Sequence, residues 1–170
     1  DIPAERLAHH NPAFTNAIVD LAGPISVNIY RNITDKRYIF VYSCLTTRAI
    51  HLELIERMDS DSTLIALNNT INLRGAPKII VSDNGLNFKG AKNILENDVN
   101  RWNKMLLKNG LITAPITWKF GPPRSPHSQG SVERMVGLTK TILKKIIEMS
   151  AIHRKLFNDF MLRAILNEVI

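Results

Sequence analysis

The chain has 170 residues, 45% hydrophobic and 22% charged; that is the length of one compact domain with a real core, and it excludes wholesale disorder. A single cysteine, Cys44, excludes an internal disulfide framework and a cysteine-built zinc site, and no apolar run reaches the roughly 18 residues that span a bilayer. Lys plus Arg number 22 against 15 Asp plus Glu, a net charge of +7 of the kind carried by domains that bind polyanions.

No secretory leader opens the chain, and it starts at Asp1 rather than Met, as a fragment or a processed product would. Residues 1–13 hold two prolines and little periodicity, and read as an N-terminal arm. His9 and His10 in that arm have no further metal ligand near them in sequence and read as solvated loop histidines. From Phe14 the pattern becomes β-like. Ala17 to Leu21 is a short apolar run, Gly23-Pro24 interrupts it, and Ile25 to Tyr30 continues it; residues 31–36 read as a turn. Tyr38 to Leu45 is a nearly continuous β-branched and aromatic run, suited to a strand covered on both faces. In Ala49 to Glu56 the alternation of Ile50, Leu52 and Leu54 with His51 and Glu53 predicts a half-exposed strand, with His51 at the surface beside Glu53. Three adjacent strands joined by short turns predict an antiparallel meander.

Asp59-Ser60-Asp61-Ser62 is a helix start, and Leu64, Ile65, Leu67 and Ile71 form the apolar stripe that follows. Gly75 and Pro77 end that helix. Lys78 to Ser82 is a short β-branched strand that stops at the turn signal Asp83-Asn84-Gly85. A second helix is predicted from Ala91 to Asn109, burying Ile94, Leu95, Val99, Trp102, Met105 and Leu106, with Gly110 as its stop. Ile116 to Phe120 alternates as a fifth strand. Residues 121–130 are a proline- and glycine-rich loop, and two helices follow, over 131–149 and 153–170. The order βββ-α-β-α-β-α-α predicts an α/β fold, a mixed five-stranded sheet flanked by helices.

Three carboxylates stand out from the surface acids. Asp20 lies within the apolar run Ile18-Val19-Asp20-Leu21-Ala22, where an ionised group costs several kcal/mol unless a cation or hydrogen bonds compensate it. Asp83 ends a buried strand, where mixed α/β sheets place ligands, although an ordinary Asp-Asn-Gly turn would account for it as well. Glu133 lies at the border of the buried face of its helix, and Gly137, Lys140 and Lys144 fall within about 40° of it at 100° per residue. Convergent carboxylates favour hard divalent cations, and a pair of Mg²⁺ ions about 4 Å apart suits phosphoryl transfer. A basic surface beside such a site suits a nucleic-acid backbone.

Several blocks then carry a family resemblance. They are Phe14-Thr15 with Val19-Asp20-Leu21-Ala22-Gly23-Pro24, Cys44-Leu45-Thr46-Thr47-Arg48-Ala49-Ile50-His51-Leu52-Glu53, and Arg74-Gly75-Ala76-Pro77. Ser82-Asp83-Asn84-Gly85-Leu86-Asn87-Phe88 follows, then Trp118-Lys119-Phe120-Gly121-Pro122-Pro123, and last Pro126-His127-Ser128-Gln129-Gly130-Ser131-Val132-Glu133. In this order they resemble the catalytic core of retroelement integrases, most of all those of BEL/Pao-class LTR retrotransposons, from Phe14 to the end of the chain. The resemblance implies an RNase H-like fold, with Asp20, Asp83 and Glu133 as an Asp-Asp-Glu triad holding two Mg²⁺ ions, for which Mn²⁺ can substitute. It implies that Asp20 and Asp83 share one ion, and Asp20 and Glu133 the other. Gln129 matches a DNA-touching loop residue and Lys140 a lysine that contacts the element's terminal DNA. Lys119, Arg124, Arg134 and Lys144 are further candidates for DNA contact, solubility being an equally good reading of each. The 49 residues between Asp83 and Glu133 make a longer spacer than retroviral integrases have, and the excess falls in the predicted 91–109 helix.

The implied activity is metal-dependent 3′-end processing and strand transfer of element DNA into target DNA by a polynucleotidyl transferase. A homodimer or higher assembly is implied, with element-end and target DNA as partners, no membrane, and action in the nucleus after synthesis in the cytoplasm. The family's zinc-binding and C-terminal domains are absent, so residues 14–170 are expected to be the core alone, cut within the final helix. Two rivals share the fold: an RNase H-like nuclease, and a domesticated scaffold that binds DNA or chromatin without catalysis. The charge is unevenly placed. Residues 101–170 hold 12 Lys or Arg and 4 Asp or Glu, so the positive excess belongs to the segment that carries Glu133 and the lysine line.

Overall fold

The computed structural model describes residues 11–31, 33–82, 92–120, 137, 140–141, 144–145, 148 and 158–168. Five strands, β1 (Asn16–Tyr30), β2 (Ile33–Cys44), β3 (Ile50–Ile55), β4 (Ile79–Ser82) and β5 (Thr117–Phe120), form one sheet in the order β3-β2-β1-β4-β5. β1 pairs antiparallel with β2, and β2 with β3, so the meander is as the short turns predict. β4 joins the other edge of β1 in parallel, and β5 joins β4 in parallel. Both parallel joints follow a helical crossover, α1 (Ser60–Arg74) before β4 and α2 (Lys92–Lys108) before β5. A third described helix is α3 (Asp159–Glu168).

The two faces of the sheet bury separate clusters. On one, Ala17, Val19, Phe40, Tyr42 and Ile80 pack with Leu67 and Ile71 of α1 and Leu106 of α2. On the other, Ile18, Val27, Ile39, Val41, Leu52 and Leu54 pack with Leu162 and Leu166 of α3. Up to Ala22 in β1, residues of opposite parity thus reach opposite layers, and the irregularity between Ala22 and Ile25 flips that parity so that Val27 joins Ile18. Leu52 and Leu54 face α3 while His51 and Ile55 are buried on the α1 side, so β3 is covered on both faces. The predicted surface position of His51 is therefore corrected. It is buried, although it does meet Glu53, at 3.2 Å. Alternation reads as half-exposed only when the polar members face water, and here a helix covers them.

Other boundaries shift for local reasons. Gly23-Pro24 does not split β1; it forms an irregularity between Ala22 and Ile25, after which pairing resumes at Arg37. The predicted 31–36 turn shortens, because Ile33, Thr34, Asp35 and Lys36 all pair with β1. Ile65 of α1 and Met105 of α2 are exposed, outside the buried stripes predicted for them. α1 begins where expected: the Asp59 carboxylate accepts from the Ser62 N–H at 2.8 Å, and that bond holds the carboxyl below its usual range. α2 ends at Lys108, and Gly110, with φ of 68°, follows in the turn that stops it. The Oδ1 of Asn158 accepts from the Met161 N–H at 2.8 Å and so caps α3. The expected start of that helix at 153 lies outside the described residues.

α3 is also tied to the sheet by charge. The Arg37 guanidinium on β2, 6% exposed, donates to both carboxylate oxygens of Asp159 and to Asp35. Burial opposes the charge, but the Asp159 and Asp35 carboxylates outweigh it and raise the Arg37 pKa.

Candidate active site

β1 is the central strand, and its two neighbours bring the site together. Val19 pairs with Ser82 across the parallel joint to β4. The residues that follow these partners in sequence are Asp20 and Asp83. Asp20 is described and Asp83 is not, so the register brings the chain up to the second acid without describing it. On the other side Asp20 pairs with Val41 of β2.

Asp20 lies in its apolar run with the compensation an ionised carboxylate there needs. Its side chain is 27% exposed. Its Oδ1 accepts from the Leu21 N–H at 2.7 Å, and its Oδ2 accepts from the Lys140 Nζ at 2.7 Å. The alternation of β1 sends Val19 to the α1–α2 layer and Asp20 to the opposite face. Lys140 therefore approaches from the α3 side of the sheet. It belongs to a helical stretch in which Gly137, Lys140, Thr141, Lys144, Lys145 and Glu148 are described, and the Thr141 hydroxyl donates to the Gly137 carbonyl at 2.8 Å.

The placement of the other candidates differs. Lys144, one turn beyond Lys140, is exposed and lies 3.8 Å from Glu148 of its own helix. Lys119 is exposed on β5, in register with Val81. Asp83, Gln129, Arg124, Arg134 and Glu133 lie outside the described residues. Of the predicted site residues, the structure thus joins Asp20 to Lys140, 120 residues apart in sequence.

One pair escaped sequence reasoning. The Trp118 indole N–H on β5 donates to the Oγ of the fully buried Ser82 at 2.8 Å. Trp102 of α2 lies against Trp118 with ring centroids 5.2 Å apart. The long spacer is thus anchored, through its helix, on the strand end that precedes Asp83. The alternation in β5 gives the side to which Trp118 points, but its hydrogen bond to another strand is a tertiary fact.

The chemistry available at Asp20 suits a hard cation. A carboxylate oxygen is a hard donor, the group is reachable from solvent, and a cation already sits on Oδ2 in the form of the Lys140 ammonium. That ammonium places a full positive charge on the oxygen. Among the described residues no group of three His, Cys, Asp or Glu side chains converges on a metal position. Among them, too, no helix is long and apolar enough to cross a membrane.

The strand order, with three antiparallel strands followed by two parallel ones and helices on both faces, defines the RNase H-like class. Comparison with solved structures agrees. A chain of the cryo-electron microscopy structure of the simian T-cell lymphotropic virus intasome in complex with PP2A regulatory subunit B56 gamma is similar at a TM-score of 0.51 and 18% identity, over 79% of this chain and 42% of that one. The HTLV-2 integrase catalytic core domain in complex with magnesium, in its dimeric form, is similar at a TM-score of 0.49 and 19% identity, over 80% of this chain and 74% of that one. The chain spans less than half the length of the first of these. At 18% identity the first likeness shows the fold alone. No family model and no curated protein matches the sequence.

Proposed function

We propose that the chain is an integrase catalytic core, a polynucleotidyl transferase of the Asp-Asp-Glu type that acts on DNA with divalent metal. The observation that carries this is Asp20 on the central strand of an RNase H-like sheet, its carboxylate bonded to Lys140. Asp20 lies in the first of the sequence blocks that resemble integrases, and Lys140 lies seven residues beyond the last. The proposed triad is Asp20, Asp83 and Glu133, holding Mg²⁺, with two ions per site and Mn²⁺ as a substitute. Bound there, the metal would supply charge neutralisation at the transferring phosphoryl group and an activated oxygen nucleophile.

The rest of the work falls to this chain's side chains. Asp20 contributes a fixed oxygen: the Leu21 N–H orients Oδ1, and β1 is locked between β2 and β4. Catalysis of this kind rests on positioning, and a central strand is the most rigid place in the sheet for a ligand. Lys140 supplies positive charge beside that oxygen, where a DNA phosphate would approach. Lys119, Lys144, Arg124, Arg134 and Gln129 are the further proposed DNA contacts. The two reactions are hydrolysis near the element's 3′ end and attack of the freed 3′-hydroxyl on target DNA. The BEL/Pao class, a homodimer or higher assembly, and action in the nucleus complete the reading.

The test is strand transfer on oligonucleotide duplexes with Mg²⁺ or Mn²⁺, comparing the parent with Asp83→Asn. Joined products that disappear in the variant support the proposal. Cleavage of an RNA–DNA hybrid without any joining of DNA ends would replace it with a nuclease reading. DNA binding that persists in a chain inert on every substrate would replace it with a scaffold.

A further inference from the structure

We propose that the Lys140 ammonium is a built-in placeholder for the divalent cation on Asp20: metal entry displaces it from Oδ2, and the displaced ammonium is then free to take a DNA phosphate. The inference rests on the integrase reading of the site. It starts from the two oxygens of Asp20. Oδ1 accepts from the Leu21 N–H and Oδ2 from the Lys140 ammonium, each at 2.7 Å. The ammonium takes one lone pair of Oδ2, and a divalent ion on the same oxygen would stand within a few ångströms of its charge, where the two cations repel each other. Asp20 therefore holds one or the other on that oxygen.

The geometry lets the exchange proceed. Lys140 is 38% exposed and its four-carbon stem is flexible, so the ammonium can leave Oδ2 for solvent without unpacking the core. Lys144 differs, since it sits beside Glu148 of its own helix. The pairing also keeps a central-strand carboxylate compensated while no metal is bound. Because metal and phosphate then favour the same position of one lysine, each strengthens the binding of the other, as linkage requires.

Two measurements on the whole chain test this. The first is Mn²⁺ binding to DNA-free protein, followed by electron paramagnetic resonance. Lys140→Gln should bind about two- to fivefold more tightly than the parent, the range of a partly exposed ion pair, and a variant of the exposed Lys145 on the same helix, Lys145→Gln, should match the parent. The second is affinity for a DNA duplex in chelator, by fluorescence anisotropy. Asp20→Asn should bind DNA more tightly than the parent, because its neutral amide holds the ammonium less tightly than a carboxylate does, and most of that gain should vanish in a Lys140→Gln background. Equal Mn²⁺ affinity in Lys140→Gln and parent overturns the proposal, as does an equal effect of Lys145→Gln or a DNA gain that persists without Lys140. If the parent binds no Mn²⁺, or binds it as well with Asp20→Asn, the underlying reading of the site falls too. If Mn²⁺ binding needs Asp20 but ignores Lys140, the placeholder alone is refuted.

Discussion

Replacing Asp159 by Asn tests how the last described helix is held to the sheet. In the native chain Arg37 Nε donates to Asp159 Oδ1 at 2.9 Å and Oδ2 at 3.2 Å, and Nη2 donates to Oδ2 at 3.0 Å. The guanidinium is buried, whereas the Asp159 side chain is 41% exposed. Hydrogen bonds to charged groups contribute about 1.5–3 kcal/mol when buried, and exposed pairs under about 1 kcal/mol. A buried donor facing a half-exposed acceptor falls between, so the variant should lose about 1–2 kcal/mol. Arg37 keeps Asp35 and the Lys36 carbonyl, which prevents a larger loss. Urea unfolding of the parent, Asp159→Asn, Arg37→Met and the double variant gives the pairwise coupling directly. A coupling near 1 kcal/mol is expected. One below about 0.3 kcal/mol, the usual limit of additivity, would show that the contact adds nothing to docking α3 and that Leu162 and Leu166 hold it alone.

Three further outcomes follow from local geometry. Asp59→Ala should cost about 1 kcal/mol at neutral pH through loss of the α1 cap. Because the folded carboxyl is held below its usual range, that contribution is present above the unfolded pKa of about 3.9 and fades as the pH falls through the folded value. Acid titration of stability in parent and variant should therefore converge, and a constant gap would refute the cap's charge. Trp118→Phe should cost about 1–3 kcal/mol by leaving the buried Ser82 hydroxyl without its indole donor, and less in a Ser82→Ala background; equal costs in the two backgrounds would remove the hydrogen bond from the account. Gly23→Ala should destabilise by at least about 1 kcal/mol, since a Cβ would stand 3.0 Å from the Arg37 carbonyl and φ is 130°. A parent-like thermal midpoint would contradict this.

The sequence carried the order of the elements well, because both periods were clean: two in Ile116 to Phe120, and a helical stripe through Leu64, Leu67 and Ile71. It misjudged His51, whose alternation with Leu52 and Leu54 has no way to signal that a helix covers the polar side as well. It marked Asp20 as a carboxylate in an apolar run that needs compensation, without saying from where. The strand's alternation turns Asp20 away from Val19, toward a helix 120 residues further on. Lys140 was legible from helical spacing as a neighbour of Glu133. Its bond to Asp20 was not, since a contact between a central strand and a distant helix is set by packing. The Trp118–Ser82 bond and the Arg37–Asp159 clasp were invisible for the same reason. Both join side chains whose local patterns are those of any strand or helix start.

The central claim is that Asp20 holds the metal for DNA strand transfer. The most direct measurement is joining of oligonucleotide ends by the parent and by Asp20→Asn, with Mg²⁺ or Mn²⁺, after circular dichroism has shown both to be folded. The account predicts joined products from the parent and a rate at least about a hundredfold lower from the variant, the scale of losing one preorganised electrostatic group at a phosphoryl-transfer site. Strand transfer by Asp20→Asn at the parental rate would contradict it.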